Sequence, residues 1–289
     1  MDAMNVSVIL PAAGSGTRFA QGSGRSGPGL AGGLSKIEME LAGKPVFLHA
    51  VESFIRRADV GQVIVAVAPD KLDDFRFRWG DKLAFLDVEV VAGGVTDRWQ
   101  TVLRALDAVS SDATHIAVHD AARPLASEAL IDRVFDAAKR FPAVIPGCDV
   151  GATLKRVGVD DTIRADADPL DAILGTSDKD EPPIRRVVKT VDRRNLIAVQ
   201  TPQVFEAVLF RRAYLQFADG GPDSQGITDD AQLIEAMGEP VRVVEGETTN
   251  LKITYPGDAE LAEALLSKRG ASRAADLAKK KLFRYDDEL

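Results

Sequence analysis

The chain has 289 residues, 45% hydrophobic and 28% charged, with a formal net charge of −8, proportions of an ordinary globular protein long enough to bury a sizeable core. The negative balance argues against a general nucleic-acid binder, which needs a basic face, and no apolar run approaches the ~20 residues of a membrane span. The single cysteine, Cys148, excludes an intramolecular disulfide and, with His49, His115 and His119, cannot build an ordinary structural zinc site; with no secretory leader after Met1 to Asn5, a cytoplasmic protein is expected.

The first element is Val6 to Leu10, an apolar, β-branched run that reads as a parallel strand buried on both faces. Ala12, Ala13, Gly14 and Gly16 follow, a turn with little side-chain bulk whose backbone N–H groups can approach an anion closely. Arg18 then adds a permanent charge whose fork matches phosphate oxygens, so a triphosphate is the expected guest. Two better-known glycine loops do not fit: Phe19 stands where the dinucleotide fingerprint needs its third glycine, and the only Gly-Lys pair, Gly43-Lys44, is followed by Pro45 rather than Ser or Thr. A tight turn with no ligand is the plain alternative.

Residues Ala20 to Leu34, rich in Gly and Ser, read as a loop that delivers Lys36, a candidate second phosphate ligand. After a turn at Gly43-Lys44-Pro45, Val46, Leu48, Val51, Phe54 and Ile55 have helical spacing. Val63 to Val67 and Val88 to Val91 are further strands, and Thr96 or Asp97 can cap a helix carrying Val102, Leu103, Leu106 and Val109. Ile116 to Val118 is the fourth strand. Such alternation builds a parallel sheet with crossover helices, and ligands bind beyond the carboxyl ends of its strands. His119-Asp120-Ala121-Ala122-Arg123-Pro124 stands at that edge, where a carboxylate can hold Mg²⁺ against phosphates; the alternative for Asp120 is a helix cap or a buried ion pair with Arg123. A helix through Leu130, Val134, Phe135 and Ala138 and a strand from Ala143 to Pro146 follow.

From Gly151 to Arg194 the pattern changes. Thr153 to Val157 and Arg185 to Val191 read as two extended segments flanking an acidic, proline-bearing stretch, Asp160 to Pro183, a projecting arm that needs a partner to bury it. A homodimer is therefore expected. Thr201 to Phe205 returns to the main body, a helix follows through Val208, Leu209, Ala213 and Leu215, and Thr228-Asp229-Asp230 caps another through Leu233, Ile234 and Met237. Val241 to Glu245 is a strand, and Asn250 to Thr254 a further one whose alternation puts Asn250, Lys252 and Thr254 on one face. Pro256 opens a last helix through Leu261, Ala264 and Leu265. The division is a domain over 1–268, with its arm at about 151–194, and a charged tail over 269–289.

Taken in order, Pro11 to Arg18, His119 to Pro124, Thr190 to Arg193, Thr201 to Gln203, Thr228 to Asp230 and Asn250 to Thr254 resemble the cytidylyltransferases that make 4-diphosphocytidyl-2-C-methylerythritol in the non-mevalonate isoprenoid pathway. The resemblance implies a Rossmann-like α/β nucleotidyltransferase fold, a mostly parallel sheet flanked by helices, with a dimerisation arm. It implies CTP, Mg²⁺ and 2-C-methyl-D-erythritol 4-phosphate as ligands and pyrophosphate as a product. Arg18, Lys36 and Lys252 become the catalytic cations; Ala12, Ala13, Gly14, Gly16, Gly94 and Thr101 the nucleotide contacts; Asp120, Thr153, Arg193 and Lys252 the substrate contacts, with Asp120 also at the metal. The chemistry agrees, because the attacking phosphate monoester is already ionised near neutral pH and needs no protein base. What the reaction needs is positioning and charge neutralisation at the α-phosphate.

The chain departs from the family pattern in several places. Lys36 follows a longer loop than usual, the block Gly93 to Arg98 carries one extra residue, Ala152 and Thr249 stand where aspartates are common, and the arm insertion is long. A sister enzyme acting on ribitol or another polyol phosphate would share the nucleotide contacts, and a catalytically weak nucleotide-binding protein on the same fold is the remaining alternative.

Overall fold

The computed structural model describes residues 3–14, 19, 35–163, 184–218 and 227–270. Two compact units emerge, one of Met1–Gly147 with Val199–Leu289 and one of Cys148–Ala198.

The first unit is the expected α/β body. Strand β1 (Val6–Ala12) is followed by a small ribbon of β2 (Glu40–Leu41) and β3 (Lys44–Pro45), turned by Ala42 and Gly43 at positive φ, and then by α1 (Val46–Glu52). Next come β4 (Val60–Val67), α2 (Leu72–Phe85), β5 (Val88–Ala92), α3 (Arg98–Ala105), β6 (His115–Val118), α4 (Glu128–Ala138) and β7 (Ala143–Asp149). After the second unit, β10 (Ile197–Val199) brings the chain back, and β11 (Gln203–Glu206), α5 (Ala207–Ala218), α6 (Ala231–Ala236), β12 (Arg242–Glu245) and a helix α7 over 256–270 complete it.

The sheet of this unit runs β7-β11-β6-β1-β4-β5, with β12 beside β7. β1 pairs in parallel with both β4 and β6, and β4 with β5, so four strands end at one edge. β11 is antiparallel to β6, Gln203 opposite Val118, so it begins at the edge where those four end. Both faces of the sheet are covered, as parallel strands require. Alternation in β1 sends Val6, Val8 and Leu10 to a core with Phe47, Phe54 and Phe135, and Ile9 to a second core with Val102, Phe205, Phe210 and Tyr214. A third cluster gathers Phe19, Leu41, Val46, Leu125, Ile253 and Ala262.

Several local expectations change. Asn250 to Thr254 is not a strand: among the described residues it pairs with none, and it is held by the Ile253 N–H donating to the Ala122 carbonyl at 2.9 Å and by burial of Asn250 and Ile253. α2 occupies a stretch to which no element is assigned from the sequence; its Phe77 and Phe85 are 93% and 89% exposed, which blurs the periodicity. At α6 the cap comes from Asp229, whose Oδ1 accepts the Gln232 N–H, while the Asp230 carboxylate is used elsewhere. The Ala20 to Leu34 loop, most of the acidic arm stretch and the tail beyond residue 270 lie outside the described residues.

The second unit is a two-stranded antiparallel ribbon of β8 (Leu154–Ile163) and β9 (Ile184–Val191), with Leu154 opposite Val191 and Ile163 opposite Ile184 and the register shifting between Arg156 and Val157 and again before Thr162. Val187 and Val188 on it are 53% and 54% exposed.

Candidate active site

The shared carboxyl edge of β1, β4, β5 and β6 opens into a cavity of about 490 Å³. Ala12, Ala13 and Gly14 leave β1 into its wall, and a Cβ on Gly14 would meet nothing within 4 Å, so the turn leaves open space above it. Across from β5 comes Gly93-Gly94. The Gly94 N–H donates to Thr101 Oγ1 at 3.2 Å, and the Thr101 hydroxyl donates to the Asp97 carbonyl. A Cβ at Gly94 would lie 2.4 Å from Gln100 Cβ and 2.8 Å from Thr101 N, so only glycine lets the loop approach the start of α3. Asp97 caps that helix, and the Gln100 side chain accepts the Thr96 and Asp97 N–H groups in return.

Asp120, buried just beyond β6, is the electrostatic centre. Its Oδ1 accepts Arg98 Nε at 3.3 Å; its Oδ2 accepts Lys252 Nζ at 2.9 Å and Arg123 Nε at 3.2 Å. Burial alone would raise this carboxyl, but Arg98, Lys252 and Arg123 together hold it ionised, far below the usual carboxylate range. The ion pair with Arg123 thus exists, and it lies in the cavity wall rather than replacing a site. Arg123 also donates from Nη1 to the Asn250 carbonyl at 2.7 Å, and Lys36 Nζ donates to the Ile253 carbonyl at 3.1 Å. Residues 250–253 therefore gather three of the site's cations along one short segment.

Behind Asp120 the hydrogen bonds have a defined direction. His119 Nε2 faces the Arg123 carbonyl at 3.1 Å, and a carbonyl only accepts, so that nitrogen carries the proton. Nδ1 then accepts the Thr201 hydroxyl at 3.1 Å, and Thr201 Oγ1 in turn accepts the Asp120 N–H at 3.0 Å. Burial lowers His119 to about 4, against the weaker pull of its hydrogen bonds and of Asp120, so the ring is neutral near pH 7.

Of the residues expected from the sequence, Ala12, Ala13, Gly14, Lys36, Gly94, Thr101, Asp120 and Lys252 line this one cavity. Gly16 and Arg18 lie outside the described residues. Thr153 and Arg193 belong to the second unit, where the Arg193 guanidinium donates to the Gly151 carbonyl. Thr96, Asp97, Arg98 and Thr228 also line the cavity. The signal for Arg98 is an arginine at the first position of a helix, where the dipole disfavours a cation, four residues after a glycine pair at a sheet edge.

Among the described residues, no group of three or more His, Cys, Asp or Glu side chains could hold a metal ion. The donor set argues the same way: both Asp120 oxygens carry cations, and a divalent ion there would have to displace Lys252 or Arg98. In this arrangement Asp120 is committed to Arg98, Arg123 and Lys252, and it could take part in holding Mg²⁺ only with Lys252 moved off it.

The family model for IspD, 2-C-methyl-D-erythritol 4-phosphate cytidylyltransferase, matches residues 6–268. A 2-C-methyl-D-erythritol 4-phosphate cytidylyltransferase of Acidobacterium capsulatum is 38% identical over 270 residues, covering 93% of this chain and all of that protein. One of Rhodopirellula baltica is 36% identical over 276 residues, covering 92% and 96%. A crystal structure of the Thermus thermophilus enzyme of that name superposes with a TM-score of 0.63 at 30% identity, covering 91% of this chain and 100% of that one. The chain belongs to the 2-C-methyl-D-erythritol 4-phosphate cytidylyltransferase family.

Proposed function

We propose that this chain transfers the cytidylyl group of CTP to 2-C-methyl-D-erythritol 4-phosphate, giving 4-diphosphocytidyl-2-C-methyl-D-erythritol and pyrophosphate for isoprenoid biosynthesis. A phosphate oxygen of the polyol phosphate attacks the α-phosphorus of CTP, and the bond from that phosphorus to the oxygen bridging the β-phosphate breaks as pyrophosphate leaves. The observation that carries the reading is the joint lining of one cavity by the Ala12 to Gly14 turn, Gly94 and Thr101 at one part and Lys36, Asp120 and Lys252 at another.

In this reading the small-residue turn and the Gly94–Thr101 contact receive the nucleotide. Lys36 and Lys252, with Arg18, neutralise the triphosphate and the charge that builds on the α-phosphate. Lys252 leaves Asp120 for the reacting phosphates, and Asp120, freed of one cation, accepts hydroxyl groups of the polyol. Thr153 and Arg193 act on the methylerythritol phosphate. Mg²⁺ bound to the triphosphate oxygens would supply further neutralisation of their charge. Lysines and arginines do the work here, so no residue is assigned as a proton acceptor. The exposed Val187 and Val188 on the ribbon support a homodimer formed through it, and the body over 1–268 with this arm is the catalytic domain. The reading also keeps the protein in the cytoplasm, where CTP is available.

The test is pyrophosphate release with CTP and each of 2-C-methyl-D-erythritol 4-phosphate and ribitol 5-phosphate. Turnover is expected with the first, and a loss of roughly a hundredfold or more in Lys252→Ala with the fold retained. A wild-type chain that prefers the ribitol ester, or a Lys252→Ala chain with unchanged turnover, would reject the assignment.

A further inference from the structure

Arg98 sits at the first position of α3 against the helix dipole, so groups outside the helix must hold it there. Its Nη1 donates to Asp230 Oδ2 at 2.6 Å and its Nε to Asp120 Oδ1 at 3.3 Å. Asp230 is 1% exposed, and its second oxygen, Oδ1, accepts the Tyr214 hydroxyl at 2.6 Å. Tyr214 is itself 1% exposed, tilted against Phe210 in the second core, so water does not compete for its hydroxyl. The N–H groups of Asp230 and Ala231 both donate to Gln203 Oε1 at 3.2 Å, which pins the start of α6 to β11. A buried carboxylate costs several kcal/mol unless it is paired and bonded. Asp230 meets that condition through Arg98 and Tyr214.

We propose that Tyr214 and Asp230 are positioning residues for the polyol side of the site, acting through Arg98 on Asp120. The inference rests on the assignment of Asp120 to the polyol hydroxyls. A carboxylate that receives hydroxyls must present its lone pairs in a fixed plane, while the terminal torsion of an aspartate is broad and roughly two-fold. Arg98 on Oδ1, opposite Arg123 and Lys252 on Oδ2, fixes that plane. When Lys252 turns to the phosphates, Arg98 and Arg123 keep it. Asp230 holds Arg98 at the required angle, and the Tyr214 hydroxyl holds Asp230. Loosening this chain costs polyol alignment and leaves the nucleotide contacts at Ala12 to Gly14 and Thr101 untouched.

The experiment is a double-mutant cycle on the full chain with Tyr214→Phe and Arg98→Ala, read as kcat and as KM for each substrate. Tyr214→Phe keeps the ring and deletes one hydrogen bond. It is expected to raise KM for 2-C-methyl-D-erythritol 4-phosphate ~3- to 10-fold, with KM for CTP unchanged within about twofold. Arg98→Ala is expected to lower kcat/KM further, and Tyr214→Phe to add nothing in that background, because its effect travels through Arg98. Effects that simply multiply, or a Tyr214→Phe variant of lowered thermal stability with both KM values unchanged, would overturn the proposal. If the wild-type chain releases no pyrophosphate with these substrates, the functional reading itself fails. The link is then judged from the same cycle in urea midpoints, where coupling supports it and additivity rejects it.

Discussion

Replacing Asp120 by Asn removes the negative charge shared by Arg98, Arg123 and Lys252, which lie 3.3, 3.2 and 2.9 Å from its oxygens. At an effective dielectric constant near 20, each contact at such distances is on the order of 5 kcal/mol before desolvation is subtracted. Removing one partner of a buried ion pair costs about 3–5 kcal/mol, because the remaining charge is left uncompensated. In a chain of this size that lowers Tm by roughly 6–20 °C. Arg123 and Lys252 then lose the Asp120 charge while Arg98 keeps Asp230, so the site gains net positive charge and inorganic pyrophosphate should raise the Tm of Asp120→Asn more than that of wild type. Differential scanning fluorimetry with and without pyrophosphate reads both effects, and a turnover assay should show a loss of about a hundredfold or more. A variant within about 2 °C of wild type, with no larger response to pyrophosphate, would refute the view of Asp120 as the hub of the site.

Two further outcomes follow from local geometry. Gly94→Ala forces a Cβ to 2.4 Å from Gln100 Cβ; an overpacking cost of ~1–3 kcal/mol is expected in urea titrations, with KM for CTP rising more than KM for the polyol phosphate. His119, held at about 4 by burial, refuses a proton that the unfolded chain accepts below ~6.5. Stability should therefore fall as pH drops from ~6.5 toward 4, by ~3 kcal/mol from this residue. His115, also lowered by burial, adds to the fall, so His119→Asn should reduce the decline without abolishing it. Asp120 works in a separate window: its depressed carboxyl stabilises the fold above the ordinary aspartate value of 3.8 and surrenders that only at lower pH. A flat urea midpoint between pH 6.5 and 4.5 would contradict the buried neutral imidazole.

Much of the body was legible because its parallel strands are short runs of Val, Ile and Ala that no other element explains, each ending in glycine, proline or a charged turn. α2 was not, since Phe77 and Phe85 face solvent and only Phe75 and Leu83 of its residues are buried. Asn250 to Thr254 alternates like a strand, but a strand needs a neighbour, and here the pairing partner is a single carbonyl, that of Ala122. Within the site, the turn after β1 and Asp120 could be named from residue type and position at a sheet edge, and Lys252 from the family resemblance alone. Arg98 carries only the weaker signal of a cation at a helix start, which does not show what it does. Its role depends on Asp230 and Tyr214, which lie more than a hundred residues further along the chain and meet it only once α5 and α6 are packed.

The bonds that complete the cavity wall join distant parts of the polypeptide: Asp120 to Thr201, Arg123 to the Asn250 carbonyl, Lys36 to the Ile253 carbonyl. During synthesis the early strands can assemble while these partners are still missing, and contacts spanning so many residues form slowly. Ligand-binding competence is thus the final property the nascent protein acquires, and a translation product that stops short of Ile253 would own a sheet without a working mouth.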